Sequence, residues 1–358
     1  MEIRNGWGRF WDMKKASTLN SSRRRFRRTP GAPADARAVD PAHDPNIDGH
    51  IRAFLHVLNS GNDDPLWQLS AVEARRILIE AQKAVDVDLS GITITEKHIV
   101  QDGQSFRIAI YKPLGAQCVP PVFMFFHGGG WELGDFPSHE RLVRDLVVES
   151  GAAAVFVYYT PSPEAHYPVA INQAYAATKW VALNAEEIGV DGGRLAVVGN
   201  SVGGNLAAVV ALMAKDKKGP KIKLQVLLWP VTDANFDNES YLKFARGFFL
   251  SRDAMIWCWD NYTMNPQERN EIYASPLRAT PDQLKGLPET LILTAGYDVL
   301  RDEGEAYARK LYEAGVKVTA IRYTGMIHDW GLFNPVATTP GTRSALLRAA
   351  ARIRKVLE

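Results

Sequence analysis

A serine between glycines, Gly199-Asn200-Ser201-Val202-Gly203, follows the apolar run Leu195 to Val198 and precedes a helical stretch from Gly204 to Ala214. A strand-turn-helix of this kind holds a serine on a tight elbow with its hydroxyl exposed above a sheet. The glycines remove side chains that would collide at the turn. The chemistry expected is attack on a carbonyl carbon, for which the hydroxyl needs a base to take its proton. Among 8 histidines, His328 has a fitting place, a late strand-to-loop junction after Tyr323. His43, His50 and His56 lie in or near the N-terminal arm and first helix, and His98, His139 and His166 lack such a junction. A carboxylate on the base's second nitrogen sets its tautomer and orientation. Asp298, just after the run Leu291 to Thr294, is the expected partner. Asp302 is the rival, read instead as a first-turn acid favoured by the helix dipole.

Attack on a carbonyl creates an oxyanion, which needs N–H donors aimed at it. His127-Gly128-Gly129-Gly130 directly follows the apolar run Val122 to Phe126. Gly128 and Gly129 are the expected donors with the N–H of Val202, and His127 is expected to shape the loop. A phosphate loop would need a Lys-Ser/Thr ending or G-x-G-x-x-G spacing, and neither occurs here. Trp131 and Asn200 are assigned to the substrate-binding wall. No ligand spacing for a metal and no cofactor motif is found, so none is expected.

The elements that must position these groups alternate. Phe106, Ile108 and Ile110 alternate with polar or small neighbours, as in a half-buried strand. The unbroken runs Val122 to Phe126, Ala153 to Tyr159, Leu195 to Val198, Leu224 to Trp229 and Leu291 to Thr294 suit strands buried on both faces of a parallel sheet. Helical stretches follow Pro168, follow Ser201, run from Glu303 to Glu313 and end the chain, so an α/β class is expected. Ile51, Phe54, Leu55 and Leu58 form a helical stripe, ended by Gly61. Ser70 with Glu73 reads as a capping box opening a second helix. These readings divide the chain into a disordered basic tail (1–46), N-terminal helices (47–88) and an α/β domain (89–358). An aromatic insertion at about 235–275 interrupts the strands; its aromatics either line the pocket or build a core of their own.

Lys plus Arg number 42 against 40 Asp plus Glu, a balance that gives no whole-chain argument for a nucleic-acid or anionic-membrane partner, and neither is expected. Cys118 and Cys258 are too few and too far apart for a disulfide framework, and two free thiols favour the cytoplasm. No stretch approaches the ~18 apolar residues of a membrane span. The arginines Arg23 to Arg28 lead into Thr29-Pro30-Gly31 rather than the apolar segment of an export signal.

The chain resembles the hormone-sensitive-lipase-like group of bacterial esterases, family IV of the α/β hydrolases, over about residues 48 to 358. The resemblance rests on His127-Gly128-Gly129-Gly130-Trp131, Gly199-Asn200-Ser201-Val202-Gly203-Gly204-Asn205, Asp298-Val299-Leu300-Arg301-Asp302-Glu303-Gly304 and Gly325-Met326-Ile327-His328-Asp329. It implies a mainly parallel sheet flanked by helices, a two-part helical cap, cofactor-free hydrolysis of short- to medium-chain carboxylic esters through an acyl-enzyme, and frequent homodimers. Many members carry Asp where this chain has Asn200 and often Ala where it has Val202; where many read Tyr-Arg-Leu-Ala-Pro-Glu, it reads Tyr159-Thr160-Pro161-Ser162-Pro163-Glu164. Trp330 stands where Phe is common. An amidase or arylformamidase on the same triad, a long-chain lipase, and a non-catalytic binding protein on this scaffold remain the alternatives.

Overall fold

The computed structural model describes residues 41–60 and 68–358. Among them, one sheet holds β1 (Ile92–Gln101), β2 (Gln104–Pro113), β3 (Pro121–Phe126), β4 (Ala153–Tyr158), β5 (Asp191–Asn200), β6 (Ile222–Leu228), β7 (Glu289–Tyr297) and β8 (Val318–Ile327). Their spatial order is β1-β2-β4-β3-β5-β6-β7-β8. The β1–β2 and β2–β4 pairs are antiparallel and the other pairs are parallel. Burial follows the apolar runs: every residue of β3 after Pro121 is buried, whereas β8, at the sheet edge, alternates. β1 is likewise an edge strand with polar outward positions, so no apolar run announces it.

The helices are α1 (Gly49–Asn59), α2 (Ala71–Lys83), α3 (Phe136–Ser150), α4 (Val169–Leu183), α5 (Val202–Asp216), α6 (Arg252–Tyr262), α7 (Arg301–Glu313) and α8 (Pro340–Leu357), with short helical turns between. Ser70 and Glu73 cap α2 reciprocally. Asp48 caps α1, accepting from the N–H groups of His50 and Ile51. α1 ends at Asn59 with Ser60 as its cap; Gly61 lies outside the described residues. α7 begins two residues before the expected Glu303, so Asp302 sits in its first turn.

The boundary expected at residue 46 moves. The chain is already anchored before it, with Pro41 buried and Pro41–His43 forming a 3-10 turn, Asp44 accepting from the Tyr297 hydroxyl at 2.9 Å and Ile47 buried. These partners lie on distant strands, so no local periodicity marks them. The rest of the expected tail, residues 1–40, lies outside the described residues.

The crossover from β6 to β7 carries α6 and contains the segment 235–275. Phe54 of α1 stacks on Phe333 at 5.0 Å, and Phe249 of the crossover meets the same ring edge-on at 4.8 Å. Arg75 of α2 forms a two-pronged pair with Glu164 at 2.7 and 2.8 Å and donates to the carbonyls of Glu132 and Ser162. Glu164 thus finds its arginine on an N-terminal helix, although the segment around it lacks one.

Register brings the site together. Phe126 pairs with Gly199, Asn200 with Leu228, and Tyr297 with Ile327. The loops after β3, β5, β7 and β8 therefore leave the same edge of the sheet, at the carboxyl ends of the strands where open α/β folds bind ligands.

Candidate active site

Ser201 occupies the turn between β5 and α5 with φ 55° and ψ −123°. Two close approaches hold that turn. A Cβ on Gly199 would fall 2.1 Å from the Gly203 carbonyl oxygen, and one on Gly203 would fall 1.9 Å from that of Phe126. Neither position accepts a side chain without backbone movement. Ser201 Oγ lies 3.0 Å from Nε2 of His328, and His328 Nδ1 lies 2.8 Å from Oδ2 of Asp298. The second Asp298 oxygen accepts the Leu300 N–H at 2.9 Å, which fixes the carboxylate in its loop. Asp302 is turned elsewhere: it pairs with Arg301 and accepts the Ser240 N–H. All three aligned residues are buried.

Burial pulls His328 toward the neutral form, but the Asp298 and Asp329 carboxylates outweigh it, and the imidazole is held above its ordinary pKa of 6.5. The other buried histidines go the opposite way. Burial drives His127 down to about 4, and His139 well below its ordinary value. Both are neutral at physiological pH and unsuited to carry charge.

The glycine loop departs from the expected donor set. The Gly128 N–H donates to Asn200 Oδ1 at 3.0 Å and to His139 Nε2 at 3.2 Å, so it has no bond left for an oxyanion. Gly129 and Gly130 line the cavity beside Ser201, and among the described residues no acceptor takes their N–H groups. Gly128 therefore falls out of the expected donor pair, and the N–H groups left open beside Ser201 are those of Gly129 and Gly130. Val202, the first residue of α5, has no carbonyl one turn back to satisfy its N–H.

Two further assignments are corrected. Asn200 is fully buried and spans from the Gly128 N–H to Asp329, donating to Oδ1 at 3.1 Å. It braces the glycine loop from behind and is absent from the cavity wall. Trp131 is also fully buried, stacked on Tyr262 at 4.0 Å and edge-on to Trp259. It joins the glycine loop to α6 as packing. Trp330, which stands where Phe is common, is buried against Trp229 and Tyr323.

Two residues outside the expected set, His139 and Asp329, also reach the cavity. His139 follows a reciprocal cap between Asp135 and Ser138 at the start of α3, a local signal that would have placed it beside the glycine loop. Because its Nε2 accepts from Gly128, its proton belongs on Nδ1, which faces the Asp135 carbonyl and Ser138 Oγ. Asp329 adjoins His328 in sequence, but its partners become visible only in three dimensions.

Above Ser201 lies a cavity of about 100 Å³, walled by Leu78 of α2, Phe249, Met255 and Cys258 from the β6–β7 crossover, and Leu332. Burial pushes the Cys258 thiol up, so it is an apolar wall group at neutral pH. A larger open groove of about 570 Å³ lies between α7 and β8, lined by Tyr312 and Arg322 and remote from Ser201. Among the described residues, no group of His, Cys, Asp and Glu could hold a metal ion, and no helix is long and apolar enough to cross a membrane.

A family profile described as alpha/beta hydrolase fold matches residues 123–332. Carboxylesterase NlhH of Mycobacterium tuberculosis is 33% identical over 291 residues, 80% of this chain and 90% of that protein. Ethyl acetate hydrolase of Pseudomonas putida is 32% identical over 300 residues, 80% of this chain and 92% of that protein. A crystal structure of a thermostable esterase from Pseudomonas putida ECU1011 superposes with a TM-score of 0.87 at 58% identity, covering 88% of this chain and 99% of that one.

Proposed function

Because this chain belongs to the α/β-hydrolase family, in its hormone-sensitive-lipase-like (family IV) esterase group, and is a carboxylic ester hydrolase, we propose that Ser201, His328 and Asp298 carry its reaction on short-chain esters. The observation that carries this reading is the line Asp298 Oδ2, His328, Ser201 Oγ, with contacts of 2.8 and 3.0 Å, opening onto a mostly apolar cavity.

Ser201 Oγ attacks the ester carbonyl as its proton passes to His328 Nε2. The carbonyl oxygen gains the negative charge and is met by the N–H groups of Gly129, Gly130 and Val202; each such donor is worth about 3–4 kcal/mol in the barrier. The C–O bond then breaks, and the alcohol leaves with the proton from His328. Water repeats the sequence on the acyl-enzyme, losing its proton to His328 and releasing the acid. Asp298 keeps the Nδ1–H tautomer and stabilises the imidazolium.

The α1–α2 pair and the β6–β7 crossover are assigned as the two parts of a cap over this cavity. An apolar cavity of about 150 Å³ binds benzene, so one of about 100 Å³ holds an acyl chain of only a few carbons without rearrangement. With nitrophenyl esters from acetate to palmitate, kcat/KM is expected to peak at acetate to butyrate and to fall by about a hundredfold or more by palmitate. A palmitate optimum would overturn the pocket reading, and anilide turnover matching that of the esters would favour an amidase.

A second copy of the chain is the proposed macromolecular partner. β8 leaves a sheet edge open, the kind of surface another chain can pair with, and Tyr312 stands exposed beside it. Sedimentation equilibrium is expected to give a dimer that Tyr312→Glu weakens; a monomer at micromolar concentration would remove the proposal. The cytoplasm is proposed as its compartment, on the free thiols of Cys118 and Cys258.

A further inference from the structure

Asp329 follows the base directly, with φ 58°. Its Oδ1 accepts from Trp229 Nε1 at 2.5 Å and from Asn200 Nδ2 at 3.1 Å. Its Oδ2 is not part of that pairing and stands 3.6 Å from His328 Nε2, on the side from which the nucleophile's proton arrives. Asn200 in turn holds the Gly128 N–H. One buried chain of contacts therefore links the loop of the base, the elbow strand and the oxyanion loop.

We propose that Asp329 is a positioning residue that ties the base to the oxyanion loop through Asn200 and whose second oxygen sets the pH range in which His328 works. The proposal rests on the Ser201–His328–Asp298 reading. In the resting state Oδ2 is beyond hydrogen-bond reach of Nε2. Once Nε2 carries the serine proton, the two charges attract across that gap, while Asp298 holds the other nitrogen.

The groups facing His328 leave few rivals for this effect. Asp298 is the carboxylate on Nδ1. Glu303 of α7 lies behind it, turned to accept the Thr232 and Asp233 N–H groups, and burial raises its acid well above the ordinary range. His139 of α3 and the Cys258 thiol of α6 face the cavity and are neutral. Arg141 of α3 donates to the carbonyls of Gly331 and Leu332 behind the loop, and its charge is paired with Asp145. Trp229 and Asn200 face Asp329 as neutral donors.

The same geometry accounts for an amide rather than a carboxylate at position 200. An Asp there would set two carboxylate oxygens about 3 Å apart, and like charges that close do not both ionise. Asn200 and Asp329 are a matched pair.

The test is the pH profile of kcat/KM on nitrophenyl acetate, with folding checked by thermal melting. For the parent protein, the acid limb is expected above 6.5, because His328 must be neutral to act and is held above that value. Asp329→Asn keeps an oxygen for Trp229 and Asn200 but removes the charge, so the limb should move down by about one pH unit. Asn200→Asp should lower kcat/KM at neutral pH by about tenfold, and adding Asp329→Asn, which restores one amide and one carboxylate to the pair, should recover most of that loss. Downfield proton NMR of the His328 Nδ1 proton in Ser201→Ala, with and without Asp329→Asn, reads the same shift without turnover. An unmoved limb and NMR titration, or an Asn200→Asp defect that persists without Asp329, would overturn the proposal. If Ser201→Ala itself retains parental turnover, it is the underlying triad reading that fails.

Discussion

Ser201→Ala is expected to lower kcat on nitrophenyl acetate by about a millionfold, the scale set by removing the nucleophile of a serine hydrolase, while the melting temperature stays close to that of the parent. The elbow depends on Gly199 and Gly203, which the substitution leaves intact. It removes the oxygen 3.0 Å from His328 Nε2. What survives is the catalysis available from oxyanion donors and binding alone, about 10³–10⁴-fold over water. The measurement is burst-phase and steady-state release of nitrophenol, with active-site titration of the parent. Loss of both the burst and turnover supports Ser201 as the acyl carrier. Turnover within tenfold of the parent, in a folded variant, would place the nucleophile elsewhere.

Asp298→Asn is expected to cost about 10⁴-fold in kcat. The asparagine fits the same space but can present an N–H to His328 Nδ1. That favours the tautomer with its proton on Nε2, which cannot take one from Ser201. Asp302→Asn is expected to leave kcat near the parental value, because Asp302 bonds Arg301 and the Ser240 N–H rather than the histidine; its cost belongs to stability. Parallel kcat determinations on the two variants, with thermal melts, decide between the carboxylates. A larger loss of kcat in Asp302→Asn would reverse the assignment.

Both residues stand out in the sequence because their positions are marked locally. Asp298 follows an unbroken apolar run and His328 follows the last strand, so the ends of strands point to them. The choice between Asp298 and Asp302, four residues apart, needed the observation that one turns toward the histidine and the other toward Ser240. The oxyanion donors show where such reading stops. Gly128, Gly129 and Gly130 are chemically identical, and only the packing of β3 against β5 and of α3 against the loop reveals that Asn200 and His139 occupy the first N–H. Trp131 illustrates the converse: a large aromatic beside a reactive loop suggests a pocket wall, yet its ring is taken up by Tyr262 and Trp259.

The sequence by itself determined the α/β class, the elbow, the expected order of nucleophile, carboxylate and base, and the capping box at Ser70. Each of these is governed by neighbours in the chain: a turn that excludes side chains, an apolar run that must be buried, a helix end with free N–H groups. The tertiary structure alone decided which N–H groups remain unpaired, where the first six described residues anchor, how small the cavity is, and that Asp329 faces the base. Those depend on pairs such as Gly128 with Asn200 and Asn200 with Asp329, 72 and 129 residues apart. A hydrogen bond is satisfied by whatever lies within about 3 Å in space, and no local pattern records what that will be.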